Sequence, residues 1–160
     1  MDTNTFYAVT SAICFTLVGL WWSVVKDKPE WFKDEARKRL ADGVYASFLI
    51  PALMSLGAQV GGDLRVIWQG VFVIAALGGI ISSGRLIGLR RKENPKGAVS
   101  RNSWVVPVLY GIVLIFAVYP NMAEVVKMKP LQMEGLMLCL LIYTSHALAW
   151  EFMTSSQERL

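Results

Sequence analysis

Apolar positions in this chain come in runs. Five stretches of near-continuous hydrophobicity alternate with connectors that hold almost all of the charge. The pattern predicts an all-α integral membrane protein: a compact bundle of five transmembrane helices at about 6–25, 44–62, 66–84, 104–122 and 135–152. A short amphipathic helix at about 29–42 is expected on the cytoplasmic surface between the first two spans. The whole chain reads as a single membrane domain.

The spacing of flanking charges tests each stretch, because a helix rises about 1.5 Å per residue and the hydrocarbon core is about 30 Å thick. Arg65 and Arg85 bracket the third stretch at roughly 30 Å, and Asp42 and Asp63 the second at roughly 32 Å. Arg101 and Glu124 enclose the fourth at roughly 35 Å, Asp2 and Lys26 the first at roughly 36 Å. The fifth, between Glu134 and Glu151, has only about 26 Å and calls for snorkelling side chains or a thinner bilayer. Ahead of the first run, "MDTNT" lacks a basic n-region, so that run is expected to be a retained span rather than a signal peptide.

Composition strengthens this picture. In 160 residues, 54% hydrophobic side chains exceed what a soluble domain of this size buries, and the mean hydropathy is +0.45. Charge then orients it. One set of connectors carries Lys26, Lys28, Lys33, Arg37, Lys38, Arg39, Arg85, Arg90, Arg91, Lys92, Lys96, Arg101 and Arg159, whereas the other carries only Arg65, Lys127 and Lys129. The positive-inside rule therefore places the N-terminus outside and the C-terminus inside, in a cell membrane (inner or plasma). Trp21, Trp22, Tyr45, Trp104 and Trp150 at inner ends, with Phe6, Tyr7, Trp68 and Tyr119 at outer ends, select the same topology.

In the first inner connector, Asp27 suits a cap and Pro29 a first turn, and Phe32, Ala36 and Leu40 form an apolar stripe with Trp31 beside it. The plainer reading makes this segment an extension of the second span, with Gly43 as a joint. Pro51 and Pro107 fall in the inner halves of spans two and four, where a proline is either a tolerated bend or a hinge. Gly57 and Gly61, Ala75 and Gly79, and Gly84 and Gly88 recur at four residues, a spacing that lets helix backbones approach closely. Span three is expected at the centre of the bundle.

Candidate chemistry is sparse. His146, the only histidine, lies in span five without a Cys, Asp or Glu at helical spacing, so a hydrogen-bonded structural role outweighs a proton relay, haem or metal site. Gln59 and Gln69, with His146, are the candidates for a polar pathway, and Asp63 and Arg65 can neutralise one another at the outer turn. Cys14 and Cys139 sit inside apolar runs as small hydrophobes. No Ser-His-acid set, zinc spacing or nucleotide-binding loop is present, and no catalytic residue, metal or cofactor is expected. Arg85, Arg90, Arg91, Lys92 and Lys96 form a basic collar that fixes topology and can also hold anionic lipid headgroups. It lacks the interleaved aromatics of a nucleic-acid surface.

These features favour a non-enzymatic membrane protein, a packing or scaffolding subunit of a homo-oligomer or larger membrane complex, with lipids and other membrane subunits as partners. A small oligomeric channel or transporter is the alternative, and an anionic-lipid-binding protein the third.

Overall fold

A computed structural model describes residues 2–93 and 101–157. Five α-helices run through them: α1 (Thr3–Lys26), α2 (Glu35–Gly61), α3 (Arg65–Glu93), α4 (Val105–Val118) and α5 (Pro130–Gln157). Two 3-10 helices, Pro29–Phe32 and Pro120–Val126, join α1 to α2 and α4 to α5. No strand occurs among the described residues. Four helices, α1, α2, α3 and α5, are long and apolar enough to cross a membrane, which points to a membrane protein.

Local chemistry sets the ends. Asp2 caps α1, its Oδ1 accepting from the Thr5 backbone N–H at 2.7 Å and its Oδ2 from the Thr5 hydroxyl at 2.9 Å. Asp34 caps α2 by accepting from Ala36 N at 2.9 Å. Gly62 closes α2 at φ +48°, a left-handed backbone that suits glycine, and the short turn leads directly into α3. Pro130 opens α5, where its missing N–H costs nothing, and Gln132 Oε1 accepts from the Lys129 N–H at 3.0 Å.

The helices alternate in direction, so one end of the bundle gathers Asp2, Gly62 and the Pro120–Val126 helix, and the other Lys26, Glu35 and Trp104. We call these the Asp2 end and the Lys26 end. Neighbours in sequence pack side by side, α5 returns to α1, and α2 also meets α5 across the middle. That cross-contact divides the interior. A large core at the Asp2 end and centre is built around Tyr7, Met54, Phe72, Tyr110, Val113 and Leu138, while a smaller one at the Lys26 end holds Trp21, Trp31, Val44, Phe48, Leu148 and Phe152.

Several expectations need correction. The segment expected as a separate surface helix at about 29–42 is a 3-10 turn followed by the start of α2, which runs unbroken from Glu35 through a buried Gly43. Three residues per turn over Pro29–Phe32 break the four-residue stripe. Trp31 therefore turns inward at 3% exposure and stacks on Trp21 at 6.1 Å, whereas Phe32 stays exposed.

The central helix is α2, not α3. It packs against α1, α3 and α5, whereas α3 meets only α2 and α4 among the described elements. The last helix is longer than its flanking charges implied: from Pro130 it extends 28 residues, about 42 Å, and takes Glu134 into its interior. Helix α4 is shorter, with 14 residues or about 21 Å, because Pro120 disfavours helical backbone at Tyr119 and the chain tightens into a 3-10 helix. Pro107, third in α4, lies in a first turn whose N–H groups have no intrahelical acceptor, so it breaks nothing.

Candidate functional site

Polar groups inside an apolar bundle are costly without partners, so each one that persists marks a structural or functional need. Gln59 donates from Nε2 to the Tyr7 carbonyl of α1 at 3.2 Å and to Ser55 O of its own helix at 3.3 Å. Gln69 donates to Ala117 O at 2.6 Å, satisfying one of the last four carbonyls of α4, which lack an intrahelical donor. The Tyr7 hydroxyl, buried with its ring edge-on to Phe72, donates to Leu131 O at 2.7 Å and ties α1 to α5. These bonds pin neighbouring helices together at the Asp2 end.

His146 is elsewhere. Its ring is exposed on α5, with Nδ1 2.9 Å from Ile142 O and the ring edge-on to Phe48 at 5.3 Å. Gln59 and Gln69 lie at the Asp2 end and His146 on an exposed face of α5, so the single chain does not bring the three together. Arg65 donates to Asn121 Oδ1 at 3.0 Å, tying the start of α3 to the 3-10 helix rather than meeting Asp63.

Mid-bundle, α2, α3, α4 and α5 line a half-open pocket of about 30 Å³ whose walls include the hydroxyl residues Ser47, Ser82, Ser83, Tyr110, Thr144 and Ser145. A space of this size holds about one water. Here lies the repair of the only proline in a helix interior among the described residues. Pro51 has no N–H, so the carbonyl four residues earlier, Ser47 O, loses its helical donor. The Ser145 hydroxyl of α5 stands 3.0 Å from that oxygen and 2.7 Å from Leu141 O of its own helix, sharing one proton between two acceptors.

Sequence reasoning missed the most isolated polar group. Glu134 flanks the fifth apolar stretch in the sequence, but it lies on the α5 face that also carries Leu138, Leu141 and Ser145, with no exposed surface. Neither carboxyl oxygen has a hydrogen-bond partner. Pro130 was the available signal: a proline at the first helical position sets Glu134 more than one turn inside.

The small residues separate into two groups. A side-chain carbon added at Gly57 would lie 2.5 Å from Val71, at Gly61 3.0 Å from Trp68 backbone, and at Gly79 2.6 Å from the Tyr110 ring. Ala75 is half-buried beside the larger core. These positions seat α2 and α4 on α3. Gly135, which no spacing singled out, does the same for Phe6 of α1, whose ring would be 2.8 Å away. By contrast Gly70, Gly78, Gly84 and Gly88 are exposed and meet nothing within 4 Å. They share the outer face of α3 with exposed Ile74, Leu77 and Ile81.

Of the basic collar, Arg85 is exposed on α3, and Arg90, Arg91 and Lys92 fall in that helix's last turns. Lys96 lies outside the described residues. Cys14 is buried and Cys139 exposed, and they form no disulfide. No protein-family model, curated protein or solved structure matches this chain.

Proposed function

We propose that this chain is a non-enzymatic membrane subunit that crosses the bilayer five times, Asp2 end outside and Lys26 end inside, and assembles with copies of itself through the outer face of α3. The carrying observation is the open glycine face, Gly70, Gly78, Gly84 and Gly88, on a helix whose one other glycine, Gly79, is already filled by the Tyr110 ring. Each glycine in a helix interior costs about 0.8–1.0 kcal/mol relative to alanine, and close approach of a second backbone is the return that membrane helices obtain from such faces. The thirteen-to-three bias of Lys and Arg supports the orientation and opposes antiparallel pairing of copies.

The test is a cysteine cross-link. In a Cys14→Ser, Cys139→Ser background, Gly84→Cys in lipid nanodiscs should cross-link between copies, while a cysteine at Val9, an exposed position on α1, should not. Replacing Gly84 and Gly88 by Ile should leave monomers with unchanged helicity. Wild-type protein that is monomeric in nanodiscs sinks this reading.

Glu134 favours a second reading. A carboxyl with no hydrogen-bond partner, buried about one turn inside the Asp2 end of the bundle, is the group expected to move protons or cations, and it supports a small transporter in place of a path through Gln59, Gln69 and His146. Proton flux into liposomes that is lost in Glu134→Gln would raise this reading over the first.

A further inference from the structure

At the Lys26 end, away from the α3 face, the last turns of α1, the Pro29–Phe32 helix and the start of α2 enclose a groove of about 310 Å³. Its walls are aromatic: Trp21, Trp22, Phe32 and Tyr45, with Ala41 beneath and Asp42 as the only charged lining residue. The frame is rigid. Trp21 donates from Nε1 to Ala41 O at 3.1 Å and is braced by Trp31 at 6.1 Å and Phe152 at 5.9 Å. Trp22 stands edge-on to Tyr45 at 6.4 Å, and it is 65% exposed, so this side of the groove opens outward.

Asp42 is exposed and makes no hydrogen bond or ion pair among the described residues, although Lys38 lies one turn away on the same helix. The nearby cation Arg39 bonds Glu35 at 3.1 Å instead. A carboxylate without a partner beside several aromatic rings is matched by one kind of charge. Ring faces are negative, and an ammonium group set among them gains about 0.5–2 kcal/mol per contact as it is desolvated.

We propose that this groove binds the ammonium headgroup of a zwitterionic phospholipid. The position argues for a lipid rather than a free amine, since tryptophan and tyrosine at helix ends mark headgroup depth. The other half of the headgroup agrees. A phosphate lies next to the ammonium in such lipids, and Lys26, Lys33 and Lys38 belong to the segments at this end of the bundle, where Lys28 is paired with Glu30 at 4.0 Å. An anionic lipid would bring its phosphate to the same lysines with nothing to offer Asp42.

The proposal is tested on the detergent-solubilised full chain by tryptophan fluorescence. Dihexanoyl-phosphatidylcholine, below its own micelle concentration, should give a saturable change, and dihexanoyl-phosphatidylglycerol should not. Asp42→Asn should weaken the binding by about tenfold, and Trp22→Leu by a similar factor. Both sites are exposed, so helicity by circular dichroism should stay at the wild-type value; Lys129→Gln, exposed at the opposite end of the bundle, should retain phosphatidylcholine binding. Equal response to the two lipids, or an Asp42→Asn variant of wild-type affinity and helicity, would overturn the proposal. Tetramethylammonium that binds as tightly as the lipid would overturn the lipid assignment.

Discussion

The hydroxyl of Ser145 on α5 stands 3.0 Å from the carbonyl oxygen of Ser47 on α2, the acceptor that Pro51 leaves without a backbone donor. A side chain of one helix thus completes the hydrogen bonding of another at the middle of the bundle. Ser145→Ala should destabilise the protein by about 1 kcal/mol, the usual worth of such a bond in a membrane interior. In a Pro51→Ala background residue 51 regains its N–H, so the same substitution should cost less. Thermal unfolding of the four proteins in one detergent gives the coupling, and strict additivity would show that the serine acts independently of the proline.

Gly79 and Gly78 are adjacent but face different surroundings, about 100° apart around α3. An added methyl at Gly79 meets the Tyr110 ring at 2.6 Å, whereas at Gly78 it meets nothing within 4 Å. Measured on the detergent-solubilised monomer, Gly79→Ala should therefore cost about 1–3 kcal/mol through forced repacking, and Gly78→Ala should be neutral or stabilising by up to about 1 kcal/mol. Unfolding midpoints that fall equally for both would contradict the seat described for Tyr110.

Glu134 carries two buried oxygens without partners. Glu134→Met, which fills similar volume without polar atoms, should stabilise the fold by about 1–3 kcal/mol. An unfolding midpoint lower than wild type would mean that the carboxyl makes an interaction that stabilises the fold. A gain in stability accompanied by lost flux would assign the residue to transport.

Asp2 caps α1 from outside the helix. Its carboxyl is held below the ordinary value of 3.8, first by the Thr5 backbone N–H and then by the Thr5 hydroxyl. Because the folded value is the lower one, the cap contributes in full above the unfolded value and is lost as the pH falls through the folded value. Protection of the Thr5 amide, taken relative to its intrinsic exchange rate at each pH, should fall only below about pH 3.8, and Asp2→Asn should remove most of that pH dependence while keeping a cap.

The helices were legible in the chain because lipid demands long apolar runs, and the runs bounded by Asp2 and Lys26, and by Arg65 and Arg85, name segments of α1 and α3 directly. Gly57, Gly61 and Gly79 were legible as packing positions for the same reason, since only small residues admit Val71, Trp68 and Tyr110 so closely. Faces were harder. An exposed apolar residue and a buried one look alike when the solvent is itself apolar, so the pattern did not reveal that α2 is central and that the Gly84 side of α3 looks outward. Glu134 escaped for a related reason: a charge at the edge of an apolar run reads equally as the limit of the hydrocarbon or as a group one turn within it.

The brevity of α4 has a mechanical consequence. At about 21 Å, against about 36 Å or more for each of its neighbours, it lacks the reach to match an undistorted hydrocarbon layer. On the proposed five-span reading, acyl chains beside Val118 shorten to meet the helix, and the protein imprints a local dip on its bilayer. A membrane enriched in long saturated chains should resist that dip and expel the protein toward thinner regions.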